Sequence, residues 1–316
     1  MPTWSGILSE MAPKEGQPPP FDAVRRKYLL EAYKYTGRNV ILYASRWTQL
    51  GTGNFPPETL MITDEDIEGF MEVVHGLKGS NLDLILHSPG GSPEAAEAIV
   101  SYLRSKFKHI RVIVPQAAMS AATMIACAAD SIVMGKHSSL GPIDPQLVIQ
   151  TPLGWQMMPA QAILDQFELA KKECEDHKKL AAWAPMLAQY GPHLLVVCKN
   201  VLKMSEELVG RWLEKYMFCN DVKKKTKAAK AAKWLKNHKH FKSHSRHISR
   251  DEAEANGLTI EHLEKDQAAQ DIFLSIYHST TITFSGGPAT KIIENHLGKA
   301  FVKFVQAPQQ APSREK

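Results

Sequence analysis

Residues 84–92 read LILHSPGGS, residues 115–130 read PQAAMSAATMIACAAD, and SSLGPIDPQ follows at 138–146. The first is an apolar run that breaks at Pro89-Gly90-Gly91 and resumes as PEAAEAIVSYLR, a helical pattern. The second continues an apolar run at 111–115 and turns through small residues at Ser120, where another helical pattern opens. A lone serine in such a turn is ordinarily an N-cap. A strand–turn–helix with one serine at the turn is also how unrelated hydrolases expose a hydroxyl at the C-terminal edge of a sheet. A neighbouring Gly-Gly turn can aim free backbone N–H groups at the same point, as an oxyanion requires. Together the two turns predict an acyl-transfer site.

Working outward, NVILYAS at 39–45 is a continuous apolar run of the kind buried in parallel sheets. Helical spacing is read over 21–36, over 63–76 with Thr63 as its cap, and over 92–106 and 121–129. Strands are read at 82–87, 111–114 and 131–134. Strands alternating with helices predict an α/β fold with a parallel sheet. Residues 1–20 are rich in Pro, Gly and polar side chains and read as a flexible leader. Residues 50–58 read as a loop, 21–158 as the core, and 159–306 as a helical region with C-terminal elements returning to that core. Residues 307–316 read as a disordered tail. SRDEAEANG at 249–257 has a cap, an acidic first turn and a glycine stop, so it reads as a short helix.

The chain has 316 residues, 44% of them hydrophobic and 22% charged, which is ordinary for a soluble globular protein. No apolar run is long enough to cross a membrane, and the N-terminus lacks the basic and apolar regions of a secretory signal. Cys127, Cys174, Cys198 and Cys219 lack metal-ligand spacing and read as reduced thiols of a cytoplasmic protein.

The three quoted segments together resemble the serine dehydrogenase proteinase family, a branch of the Clp/crotonase superfamily related to signal peptide peptidase A. The SPGG turn at 88–91, the Met-Ser turn at 119–120 and the LGP-DPQ segment match in order and spacing. The likeness is strong over 39–146, reaches 243–258, and is weak between. It implies a Clp/crotonase-like spiral of βαβ units with a helical C-terminal region, self-associating into an oligomer. It also implies a serine peptidase acting on a peptide or protein substrate, with Ser120 as nucleophile and no metal or organic cofactor. The oxyanion donors would be the backbone N–H groups of Gly91 and Ala121. Ala121-Ala122 stands where the family usually has Gly-Gly.

Two proton carriers are open. In the Clp branch a histidine follows the nucleophile by about two dozen residues; here that place holds Asp144. A rearranged relay would use His244 as base, oriented by Asp144. The signal peptide peptidase branch uses a Ser-Lys dyad instead, which would nominate Lys171, placed by helical spacing with Ile163, Phe167 and Cys174. A catalytically inert scaffold that binds peptides, and a crotonase-type acyl-CoA enzyme, are the competing functions. Nine lysines between Lys223 and Lys242 form either a solvated helix or a surface for an acidic partner or an anionic membrane.

Overall fold

The computed structural model describes residues 3–49, 56–151 and 154–304. The chain opens with α1 (Trp4–Glu10), α2 (Phe21–Thr36), β1 (Asn39–Ser45), α3 (Asp66–Val74), β2 (Asn81–His87), α4 (Pro93–Lys106) and β3 (His109–Val114). Next come β4 (Ala117–Ala118), α5 (Ala121–Cys127), β5 (Ser131–Met134) and β6 (Ser139–Leu140). A hairpin of β7 (Gln146–Thr151) and β8 (Gly154–Pro159) leads into α6 (Ala160–Glu173), α7 (His177–Leu187), α8 (Leu194–Trp212), α9 (Lys224–Leu235) and α10 (His238–Phe241). Then follow β9 (Ile248–Ser249), α11 (Arg250–Ala255), β10 (Ile260–His262), α12 (Gln267–Gly286), β11 (Ala289–Asn295) and β12 (Ala300–Phe304).

Seven strands form the main sheet in the order β10-β5-β3-β2-β1-β11-β12. The five from β10 to β1 are parallel, whereas β11 runs antiparallel to both β1 and β12. Helices α3, α4 and α5 carry the chain from each parallel strand to the next, so the α/β fold is a succession of βαβ units. A second, three-stranded sheet, β4-β6-β9, stands at the end of β3.

Side-chain alternation along the strands divides the interior in two. Tyr43, Leu84, Leu86, Val112 and Val114 face a core shared with α3, α4, α5 and α9. Leu42, Ile85, Ile113 and Val133 face a second core under α2 and α12. Strands sandwiched between helices bury both faces, which is why they read as unbroken apolar runs.

Two expectations need correction, and one element was not expected. The leader is not wholly flexible: α1 is capped by Thr3, whose Oγ1 accepts from Gly6 N at 3.1 Å, and it buries Ile7 and Met11 in the second core. The cap expected at Thr63 is inverted, because Thr63 N–H donates to the Asp66 carboxylate at 2.9 Å. Residues 146–159, on the near side of the expected helical region, form a β-hairpin whose inner face packs with α6 and α8. Of the loop expected at 50–58, residues 50–55 lie outside the described residues, and Pro57–Thr59 form a 3-10 turn. The tail at 307–316 also lies outside them. No helix among the described residues is long and apolar enough to cross a membrane.

His87 ends β2 with its ring between Trp47 and Tyr277, at centroid distances of 5.5 and 5.1 Å. Burial pushes its pKa down to about 3. The unfolded chain therefore takes up a proton near the ordinary value of about 6.5, while the folded chain refuses it until about 3. Stability contributed here is complete above pH 6.5 and is lost as pH falls through that window, by about 1.4 kcal/mol per unit. Urea unfolding of the wild type and of His87→Phe at several pH values tests this. The variant should show a shallower loss of stability below pH 6.5 by one proton's slope; equal slopes would refute the assignment.

Candidate active site

The two turns quoted from the sequence lie side by side. Ser88, just past β2, pairs with β4: its N–H donates to Ala117 O at 3.2 Å and its O accepts from Met119 N at 2.9 Å. Gly90 sits so close to the second turn that a Cβ there would lie 2.6 Å from Met119 O and 2.7 Å from Ser120 Cβ. Glycine is obligatory at that contact, and its φ of +99° adds a second reason.

Ser120 itself has φ +51° and ψ −119°. Among the described residues only it and Lys242 are non-glycine residues with positive φ. Such a backbone costs roughly 1–3 kcal/mol and persists only where its surroundings over-determine it. Here they do: Thr123 Oγ1 donates to Ala118 O at 2.7 Å and accepts from Gly141 N at 2.9 Å, pinning both sides of the turn. Ser120 Oγ makes no capping bond to α5, and no hydrogen bond among the described residues. The N-cap reading of this serine is thereby set aside.

Two backbone donors of this pair of turns are unengaged. Ile62 lies alongside Gly91, donating its N–H to Gly90 O at 2.8 Å and accepting from Ser92 N at 3.0 Å. Those bonds engage the residues on either side of Gly91, so its own N–H is left without an acceptor among the described residues. Ala121 N–H, at the start of α5, likewise has none. The methyl groups of Ala121 and Ala122, where glycines were expected, are packed into the first core and do not engage that N–H.

Asp144 is 1% exposed and holds two histidines at once. His244 Nδ1–H donates to its Oδ1 and His238 Nδ1–H to its Oδ2, both at 2.8 Å. An ionised carboxylate only accepts, so each ring carries its proton on Nδ1 and leaves Nε2 free as a base. All three groups are engaged with one another, and no set of ligands suited to a metal occurs among the described residues. Leu235 O, at the end of α9, accepts from Ile143 N at 3.0 Å and fixes the chain beside Asp144. Buried Phe241, packed edge-on against Trp234 at 5.5 Å, anchors the segment between the two histidines. Neither ring is hydrogen-bonded to Ser120 Oγ; catalytic hydrogen bonds of ligand-free enzymes commonly close only when substrate binds.

The structure therefore brings His244 to Asp144 and adds His238, which the sequence had not singled out. The signal for it was its place six residues before His244 in a stretch anchored by one buried aromatic. Lys171 is elsewhere. Its side chain is 59% exposed on α6 and pairs with Glu168 at 3.0 Å, so the apolar face inferred from spacing is not where it sits. A solvated, paired ammonium lacks the desolvation that makes lysine a base.

A strained serine, two unengaged N–H groups and an Asp-His pair on a spiral of βαβ units agree with what a comparison of the sequence with protein families finds. Residues 20–259 match the family described as ClpP-like SDH-type serine proteinase. The chain belongs to that family. The ClpP-like SDH-type serine proteinases are, by that description, a family of peptidases. Among curated proteins, an uncharacterized protein of Methanocaldococcus jannaschii is 40% identical over 124 residues, 39% of this chain and 43% of that protein. A second uncharacterized protein of the same organism is 30% identical over 154 residues, 48% of this chain and 46% of that protein. The chain thus spans less than half the length of each of these relatives.

Proposed function

We propose that the chain is a serine peptidase that cleaves peptide bonds through an acyl-enzyme on Ser120. The observation that carries this reading is the strained Ser120 turn packed against Gly90, its hydroxyl unengaged and the nearby N–H groups of Gly91 and Ala121 without an acceptor among the described residues. In this reading His244 Nε2 takes the hydroxyl proton as Ser120 Oγ attacks the peptide carbonyl. The tetrahedral oxyanion accepts from the Gly91 and Ala121 N–H groups, which need no reorganisation to meet it. Asp144 holds the His244 tautomer and stabilises the imidazolium. That imidazolium then protonates the leaving amine, and water reverses the sequence to release the acid. His238, on the other carboxylate oxygen, would fix the rotamer of Asp144. His244 is preferred as base because it is the histidine that the rearranged relay nominates, and it is hydrogen-bonded to Asp144 at 2.8 Å.

A fluorophosphonate probe tests the reading directly. Folded wild-type chain should be labelled covalently at Ser120, and the Ser120→Ala variant should not. Absence of Ser120-dependent labelling in folded protein would favour an inert scaffold. Thermal stabilisation by an acyl-CoA without peptide cleavage would favour enolate chemistry at the same two N–H groups.

A further inference from the structure

We propose that the cationic segment Lys223 to Arg250 is the substrate-docking rim of this site, and that the polypeptide it takes is acidic. The catalytic part of this inference rests on the peptidase reading; the docking part does not.

From Lys223 to Arg250 the chain has no Asp or Glu, and from Lys224 to Lys242 every third residue is lysine. The segment carries eleven Lys and Arg, whereas the whole chain has a net charge of only +5, so the remainder is net negative. Some of this charge is neutralised at home: Lys227 pairs with Asp221, Lys236 with Glu206 and Lys239 with Asp165. Lys224, Lys225, Lys230, Lys233 and Lys242 are exposed and have no carboxylate partner among the described residues.

This arrangement works against the helix that bears it. Lys224 and Lys225 occupy the first turn of α9, where the macrodipole disfavours cations, and lysines three apart repel one another. The helix is held by its opposite face, where Ala228, Ala231, Ala232 and Leu235 are buried in the first core. Charge that costs the fold stability and finds no internal partner is the mark of a surface kept for something else.

Its position says what. The same segment delivers His238 and His244 to Asp144, and the last turn of α9 hydrogen-bonds the residue before Asp144. A ligand lying along the lysines ends at the imidazoles, which is where a peptidase holds its substrate. Other polyanions fit less well. Trp234 is packed against Phe241, and Phe241 is buried, so no aromatic face is presented for base stacking. No large apolar side chain between Lys223 and Arg250 is exposed, and Val222 just before it is a single exposed valine, too little to insert into a lipid surface.

The test uses the full chain carrying Ser120→Ala, so that binding is read without turnover. The probe is a short fluorescein-labelled peptide rich in Glu, compared with its Gln twin by anisotropy at low and high salt. The Glu peptide should bind at least about tenfold more tightly at low salt, and the difference should shrink as salt rises. The added pair Lys225→Glu and Lys230→Glu, both exposed and ahead of the α9 turn that bonds Ile143, should abolish that preference. It should leave the circular dichroism spectrum and melting temperature intact or improved, since it relieves repulsion. Equal binding of the twins, a preference unmoved by charge reversal, or tighter binding to anionic vesicles or a single-stranded oligonucleotide would each overturn the inference. In active chain the Glu peptide should show a lower KM than its twin with similar kcat. Failure of Ser120 labelling would refute the peptidase reading while leaving the anisotropy result to decide the docking surface.

Discussion

Exchange of Asp144 for asparagine is expected to lower kcat by about 10³–10⁴-fold while leaving KM for a neutral peptide little changed. The carboxylate accepts one Nδ1–H on each oxygen. An amide can accept on one side only; on the other it presents N–H protons. The histidine on that side must turn over to the tautomer with its proton on Nε2, and it then cannot take a proton from Ser120 Oγ. The amide also leaves any imidazolium formed in the reaction without a counter-charge. Because two rings compete for the single remaining acceptor, the single variants separate their roles. His244→Ala should approach the loss seen with Asp144→Asn, and His238→Ala should retain most of the activity. Steady-state kinetics on the three variants against one chromogenic peptide measures this. Asp144→Asn within tenfold of wild type would exclude Asp144 from the relay, and inversion of the two histidine results would move the base to His238.

Much of the fold was legible because its central strands are buried on both faces. Asn39–Ser45 and Ser131–Met134 begin and end where their apolar runs do, and β2 and β3 differ from expectation only at their first one or two residues. The β7–β8 hairpin was missed for the same physical reason in reverse. Leu147, Ile149 and Met158 face the helices while Val148, Trp155 and Met157 face outward, so both faces are apolar and no alternation marks a half-buried strand. α1 left a signal, Thr3 ahead of Trp4, Ile7, Leu8 and Met11 at helical spacing, but the Pro- and Gly-rich run after it dominated the composition. Within the candidate site, the two turns were legible in the sequence because turn chemistry is local. His238 was not, since its role depends on a carboxylate 94 positions away, shared with a histidine 100 positions from that carboxylate. Lys171 failed because helical spacing says which residues share a face but not which face is covered.

The support of Gly91 was equally invisible in the sequence, and it leads to the largest expected effect on stability. Asp66 and Lys291 are both fully buried, with Lys291 Nζ 2.7 and 2.8 Å from the two carboxylate oxygens and 2.6 Å from Met61 O. Asp66 Oδ2 also accepts from Tyr43 Oη at 2.8 Å and from Thr63 N at 2.9 Å. Burial lowers the Lys291 pKa, opposed by the charge and hydrogen bonds of Asp66. Asp66→Ala strips that ammonium of its counter-charge in a site without water access, and should destabilise the chain by about 3–5 kcal/mol. Urea unfolding gives the figure from the shift in midpoint at unchanged slope; a loss under about 1 kcal/mol would mean the pair is not structural. The pair grips Met61 and Thr63, the neighbours of Ile62, and Ile62 holds Gly90 and Ser92 on either side of Gly91. Replacing both charges together, as Asp66→Asn with Lys291→Met, removes the orphaned ammonium and should restore most of the stability. The grip on Met61 O goes with the ammonium, however, so in this folded variant kcat should fall while KM for the same peptide holds, because the Gly91 N–H is called on only as the oxyanion forms.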